Sequence, residues 1–283
     1  MKPARHTAPG PIGIFDSGVG GLTVFREIER LLPDESLIYL GDSARVPYGT
    51  KSQETVQRYA REAAHYLLGR DIKMLVVACN TATAAALPHL RQELSIPVIG
   101  VVEPGATAAV RVTKGHVGVI ATEGTVRARA YTAAIHALRP DIQVVESSCP
   151  LFVPLAEEGW ANTRVAREVA EVYLRPMLDI GIDTLVLGCT HYPILRNTIE
   201  LVLGDSVTIV DSAETTAHRV REELEARGLV SRGSRRSEHL YLVTDAAERF
   251  SRIAGDFLDH AIRNLELVDL SSTAPGLMHA GPA

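Results

Sequence analysis

The sequence is short of cysteine and of long apolar runs, and each shortage narrows what the chain can be. Three cysteines among 283 residues, with no C-x-x-C pair, do not make a disulfide framework, and they lead us to expect a reducing, cytoplasmic setting. No uninterrupted apolar run reaches the length of a membrane span, and the opening stretch to Gly10 lacks the apolar core of a secretory signal. Charge bias is missing too. The 29 Lys and Arg are mixed with 34 Asp and Glu for a net charge of -5, which leaves no footprint for nucleic acid or an anionic membrane. The glycine-rich loop near the start has neither the G-K-[ST] of a phosphate loop nor the spacing of a dinucleotide fingerprint, and no pyridoxal lysine motif is evident, so no cofactor is expected. What is there, 46% hydrophobic and 22% charged, suits one large globular domain or two smaller ones.

Two of the three cysteines share a setting. Met74-Leu-Val-Val-Ala-Cys79-Asn-Thr-Ala-Thr83 is an apolar run that ends at Cys79 and opens into small polar residues, and Thr184-Leu-Val-Leu-Gly-Cys189-Thr-His-Tyr-Pro193 repeats the pattern about 110 residues further on. The aliphatic runs fit strands buried on both faces, with each cysteine at the carboxyl end, where α/β sheets bind ligands. A thiol there also faces the start of the next helix, whose free N–H groups are expected to lower its pKa. One such cysteine would be read as a small core hydrophobe; the duplicated context argues for chemistry. Cys149, in a proline-rich stretch, lacks this setting and reads as structural.

Strand and helix patterns alternate along the whole chain. Ile12 to Phe15 reads as a strand, followed by Asp16-Ser-Gly-Val-Gly-Gly-Leu22 and a helix to about Leu32; Leu37 to Leu40, the Cys79 strand and Ile96 to Val102 follow as further strands. The alternation restarts at Val117 and passes through the Cys189 strand, with Cys149 to Gly159 expected to hold no regular element. The expected fold is α/β: two pseudo-symmetric three-layer lobes with largely parallel sheets and the active site between them. Residues 11–99 with 212–265 are assigned to a lobe carrying Cys79, residues 100–211 to one carrying Cys189, residues 1–10 to a flexible leader and residues 266–283 to a disordered tail.

Thiols on opposite sides of a small ligand can remove a proton from one face of a carbon and return one to the other. Inversion calls for two such groups, one thiolate and one thiol, that exchange roles with direction. The carbanion needs fixed dipoles, which Asn80, Thr81, Thr190 and His191 at the two turns can supply. Asp16, an acidic residue at a strand end, and His191 are plausible helpers, one per thiol; a capping role competes for each. Asp42, Ser43, Tyr48 and Gly49 lie in a loop that could close over the site. A zinc site at Cys189 and His191 lacks further ligands at suitable spacing.

The segments Asp16-Ser-Gly-Val-Gly-Gly-Leu22, Gly41-Asp-Ser-Ala-Arg-Val-Pro-Tyr-Gly49, Ala78-Cys-Asn-Thr-Ala82 and Gly188-Cys-Thr-His-Tyr-Pro193 resemble the signatures of the bacterial glutamate racemase family, with matching segments from about Pro11 to Arg263. The resemblance implies pyridoxal-independent interconversion of L- and D-glutamate for peptidoglycan, on two α/β lobes and commonly as a homodimer. It places the acid/base pair on Cys79 and Cys189, assistance on Asp16 and His191, and substrate contacts on Asp16, Ser17, Tyr48, Gly49, Asn80, Thr81, Thr190 and His191. A further assisting carboxylate falls on Glu157 or on its neighbour Glu158. Ser43 stands where many relatives have Thr. A racemase of another acidic substrate such as aspartate is the nearest alternative, and a cysteine hydrolase using Cys189 and His191 would leave Cys79 without a role.

Overall fold

The computed structural model describes residues 10–231 and 238–270. Most of the expected leader and tail therefore lie outside the described residues. The chain starts with β1 (Ile12–Asp16), α1 (Leu22–Leu31), β2 (Leu37–Gly41), α2 (Gln53–Leu68), β3 (Met74–Val77), α3 (Asn80–Glu93) and β4 (Val98–Gly100). After α4 (Val102–Val112) come β5 (His116–Ala121), α5 (Glu123–Arg127), α6 (Ala130–Leu138), β6 (Gln143–Ser148), α7 (Phe152–Glu157), α8 (Arg164–Ile180), β7 (Thr184–Gly188), α9 (Arg196–Leu203) and β8 (Thr208–Asp211). α10 (Ser212–Arg227), β9 (Leu240–Val243), α11 (Ala247–Leu258) and β10 (Leu265–Leu267) complete the described elements.

Two parallel sheets result, ordered β10-β9-β2-β1-β3-β4 and β6-β5-β7-β8. Counted from its own first strand, each contains the order 2-1-3-4, so β3 and β7 hold the same place in their sheets. That place adjoins the first strand at the point where the connections diverge, which is the switch point where such sheets bind ligands. The two-lobe α/β expectation is met, and the repeat in topology gives it a cause: each half is a doubly wound unit with its own switch point.

Local sequence accounts for the elements. β1, β2, β3 and β7 are buried along their whole length, as strands covered by helices on both faces must be. α1 lays Leu22, Val24, Phe25 and Ile28 into the core with no exposure, each worth roughly 1.5–3 kcal/mol of burial. Ser52 caps α2 by accepting from Thr55 N, Thr163 caps α8 by accepting from Ala166 N, and Asp211 caps α10 by accepting from Ala213 N. One apolar cluster runs from Leu22 and Phe25 through Phe250 and Phe257 to Phe152, Leu174 and Tyr192, so the lobes share a core across their junction.

Three local expectations change. The strand read over 96–102 is only β4, because α4 starts at Val102 and carries Pro104 in its first turn; α7 occupies the proline-rich stretch after Cys149 and carries Pro154 in the same position. A proline in a first helical turn removes an N–H that has no intrahelical partner, so it does not exclude a helix. Residues 266–270, assigned to a disordered tail, are ordered: β10 pairs with β9, and Leu270 is buried against the first lobe. A three-residue strand is too short to show a period in the sequence.

Candidate active site

Cys79 follows β3 by two residues and is itself the cap of α3, its sulfur accepting from Ala82 N at 3.4 Å. Its thiol lies 3.6 Å from Ser17 Oγ, to which it donates. The residue is 5% exposed, and that burial pushes the thiol up to about 12, with the charge of Asp16 adding to it and the Ala82 amide and Ser17 hydroxyl opposing. The expectation that a helix start would lower this pKa is overturned, because loss of solvent outweighs one N–H contact. Cys79 therefore rests as a thiol. Cys189 is close enough to add its own charge to the same shift.

Cys189 directly follows β7, but a 3-10 turn over Tyr192–Leu195 comes next rather than an α-helix. The two turns are thus alike in position and different in surroundings. His191 Nδ1 lies 3.9 Å from Cys189 Sγ, and its Nε2 lies 3.0 Å from Glu157 Oε1. Burial alone would lower the imidazole pKa. Hydrogen bonds to Cys189 and Glu157, with the negative charge of both, outweigh burial and raise it to about 10. His191 is a cation at neutral pH. Glu157 in turn is pushed up by burial but held below the usual carboxylate range by His191 and by Arg249, whose Nη2 lies 3.1 Å from Oε2. Between the two candidate carboxylates, Glu157 is the one on His191, while Glu158 meets Arg249 at 3.1 Å.

Asp16 ends β1 with no exposure, and burial raises its carboxyl despite the nearby His191 cation. It accepts from Gly18 N at 2.9 Å, so the carboxylate organises the glycine loop, and α1 is capped by Gly21 instead. Thr190 Oγ1 donates to Asp16 across the lobes at 3.5 Å, and Thr23 Oγ1 donates to the Thr190 carbonyl at 2.9 Å. The loop packs so tightly that a Cβ on Gly20 would stand 2.3 Å from His191 Nδ1.

Asn80 and Thr81 start α3, both nearly buried. Thr81 Oγ1 is 2.8 Å from Thr122 Oγ1 and 3.4 Å from Thr125 Oγ1, and Tyr131 OH donates to Asn80 Oδ1 at 2.8 Å. The Asn80 Nδ2 donor is buried with no partner among the described residues. Gly49 approaches the second lobe at Thr122, where a Cβ would meet its side chain at 2.9 Å. Tyr48 is 2% exposed, its hydroxyl donating to the fully buried Asp42, so what it can offer a ligand is its backbone. Ser43 bonds Asp245, which fastens the loop to the segment before α11. Thr122, Thr125, Tyr131 and Arg249 were not singled out from the sequence. The first two were within reach, since the turn after β5 is the topological counterpart of the Asp16 turn after β1.

Cys149 keeps its structural reading: buried, its carbonyl takes the Tyr192 hydroxyl at 2.8 Å. Another cavity, about 910 Å³, lies between α3, α4 and α10 away from the cysteines. Its Arg91, Arg219 and Arg227 are spent on Glu103, Glu222 and Glu223. Among the described residues no helix is long and apolar enough to cross a membrane.

Paired parallel lobes, each with a buried thiol at its switch point and an ionisable side chain nearby, frame a candidate site of the kind found in isomerases. The chain belongs to the Asp/Glu/Hydantoin racemase family, whose model matches residues 12–220, and it is accordingly an enzyme of the isomerase class. It is 54% identical over 262 residues to a glutamate racemase of Geobacter metallireducens, covering 92% of this chain and 97% of that one. Among solved structures, glutamate racemase isoform RacE1 from Bacillus anthracis superposes with a TM-score of 0.90 at 43% identity, covering 93% of this chain and 99% of that one. The glutamate racemase of Francisella tularensis, solved in complex with D-glutamate, gives a TM-score of 0.88 at 37% identity, again over 93% and 99%.

Proposed function

We propose that this protein is a glutamate racemase that moves the α-proton between Cys79 and Cys189 without pyridoxal phosphate. The observation that carries the reading is the unequal pair of sulfurs, one a thiol set against a carboxylate and the other 3.9 Å from a cationic imidazole. The names of the relatives and the D-glutamate complex of the Francisella enzyme support glutamate as the substrate.

In one direction Cys189, as thiolate beside protonated His191, removes the α-proton from one face of the substrate carbon. Charge then grows on the substrate carboxylate, where N–H and O–H donors of Asn80, Thr81 and Thr190 meet it; the unpartnered Asn80 Nδ2 gains an acceptor in this step. Cys79, held as a thiol, delivers a proton to the opposite face and is left as thiolate. Asp16 is the carboxylate whose charge acts on that sulfur and His191 the acid 3.9 Å from the other, and the reverse reaction runs the same groups backwards. Ser17, Gly49 and the Tyr48 backbone complete the substrate contacts.

The division of the chain into 11–99 with 212–265 against 100–211 belongs to the same reading, supported by strands from those segments falling in separate sheets. So do a cytoplasmic homodimer and a supply of D-glutamate to peptidoglycan. The test is incubation of the protein with each glutamate enantiomer in deuterated water, without pyridoxal phosphate, following optical rotation and α-deuterium together. Loss of rotation with deuterium uptake from both enantiomers is expected; neither would end the glutamate reading.

A further inference from the structure

We infer that Arg249 is a positioning residue that reaches from the first lobe onto Glu157 of the second and thereby links closure of the lobes to the proton-holding state of His191. The inference rests on the racemase reading for its kinetic consequences, and on the geometry alone for its structural ones.

The helix that carries Arg249 belongs to the first lobe. α11 buries Phe250, Ile253, Ala254, Phe257 and Leu258, and Phe250 packs on Tyr39 of β2 with ring centroids 6.0 Å apart. Glu157 ends α7 in the second lobe. Its two oxygens are divided between two cations: Oε1 is 3.0 Å from His191 Nε2, and Oε2 is 3.1 Å from Arg249 Nη2. The same guanidinium nitrogen holds Glu158 Oε1 at 3.1 Å, which steadies it over the end of α7. α11 also sets the Phe257 ring edge-on to the His191 imidazole at 5.6 Å. One helix of the first lobe thus meets both members of the Glu157–His191 pair of the second.

Arg249 is 49% exposed, so the ion pair is screened and contributes little to folding. Its effect lies in orientation. A carboxylate held at both oxygens has one rotamer in which to face His191; held at one, it is free to turn toward solvent. Separation of the lobes breaks the Arg249 contact and releases Glu157, so the arrangement around Cys189 is complete only when the lobes are together. The charged and titratable groups around the pair are Cys189 just after β7, Asp16 at the end of β1, Glu157 at the end of α7, Glu158 just beyond it and Arg249 on α11. Arg249 favours ionised Glu157, and ionised Glu157 favours protonated His191. Loss of the guanidinium therefore moves the carboxyl pKa up and the imidazole pKa down.

The experiment uses full-length Arg249→Ala, Arg249→Lys and Arg249→Glu, checked for fold by circular dichroism. The His191 imidazole is titrated by nitrogen-15 NMR without substrate, assigned with a His191→Asn control, and kcat/KM for both glutamate enantiomers is followed against pH. Arg249→Ala is expected to lower kcat/KM about two- to fivefold at neutral pH, the range of a half-exposed ion pair, and to move its acidic limb upward. Arg249→Glu should move it further, while Arg249→Lys keeps most of the wild-type profile. The His191 titration should fall in the same order. Because enantiomers are equal in energy, kcat/KM must change equally in both directions, which checks the assay itself. A His191 titration and an acidic limb that stay in place in folded Arg249→Ala and Arg249→Glu would overturn the inference. If instead the titration moves but the wild type exchanges no α-proton, the glutamate reading fails and the Arg249 contact stands.

Discussion

Gly20 offers the sharpest test of how closely the first-lobe loop must approach His191. The loop between β1 and α1 brings it against the second lobe, where an added Cβ would lie 2.3 Å from His191 Nδ1, 2.4 Å from His191 Cε1 and 2.4 Å from Thr190 Oγ1. Its backbone is outside the left-handed region, so alanine meets no conformational penalty and the clash is the whole effect. Ordinary contact between such atoms is about 3.5 Å, so something must move by about 1 Å. Neither neighbour gives way easily: His191 is held by Glu157 and Phe257, and the Thr190 carbonyl by Thr23. Gly20→Ala should therefore cost about 1–3 kcal/mol of stability as overpacking. A displacement of that size at a reacting group costs on the order of 100-fold in kcat. The assay pairs urea unfolding with racemisation of glutamate followed by circular dichroism. Gly255→Ala is the control: it lies in α11 with nothing within 4 Å of the added carbon, and it should gain up to about 1 kcal/mol with the rate unchanged. A Gly20→Ala protein with wild-type kcat and stability would refute the reasoning, since it would mean that the loop and His191 are not in contact in solution.

Cys79→Ser and Cys189→Ser should each abolish net racemisation, and α-deuterium uptake, where it survives, should come from only one enantiomer and from opposite enantiomers in the two variants; uptake from both in either variant would reject the two-sulfur scheme. Glu157→Gln removes the negative charge that helps hold His191 up at about 10 while keeping an acceptor oxygen, so the basic limb of kcat should move down toward neutrality. Stability carries the same sign: a raised imidazole pKa stabilises the fold fully below its ordinary value near 6.5 and loses that contribution as pH rises through about 10, so the gap in urea stability between wild type and Glu157→Gln should narrow over that window. Tyr131→Phe leaves the buried Asn80 Oδ1 without its 2.8 Å donor, a cost of about 1–3 kcal/mol in stability, and should raise KM for glutamate more than it lowers kcat.

The two-lobe α/β fold was legible because its strands are continuous aliphatic runs with a helix pattern after each, and a doubled Cys turn implied a doubled unit. The positions of Asp16, Cys79, Cys189 and His191 were legible for the same reason: each ends or follows a buried strand, and parallel topology sends those ends to one place. What the sequence did not carry were contacts made by long side chains across the junction. Arg249 and Tyr131 lie on ordinary amphipathic helices, where an arginine or a tyrosine is unremarkable until its partner, 92 or 51 residues away in the chain, is known. The state of the Cys79 thiol was misread because the helix start is visible in the sequence and the depth of burial is not. The choice between Glu157 and Glu158 likewise waited on which face of α7 meets His191.

The pseudo-symmetry is therefore one of scaffold, not of electrostatics. β3 and β7 deliver sulfur to equivalent places, yet the partners differ in sign: buried Asp16 acting on Cys79, cationic His191 beside Cys189. Two identical surroundings would favour both thiols or both thiolates at once, and neither state can take a proton on one side while giving one on the other. Opposite partners make the two sides unequal before substrate arrives. In the proposed reaction one turnover leaves Cys79 as thiolate beside a carboxylate, a less favourable pairing than the thiol it started from. Return to the resting state then needs a proton to pass back, either by a turnover in the opposite sense or through the groups that link the two sides. Thr190 touches Asp16 with its hydroxyl and precedes His191 in the chain, so the two helpers are already joined across the lobes. Thr190→Val would keep the shape and remove that hydroxyl, and if the link matters it should slow steady-state turnover more than the first proton transfer in a rapid-mixing experiment. Equal slowing of both phases would place Thr190 in substrate binding alone.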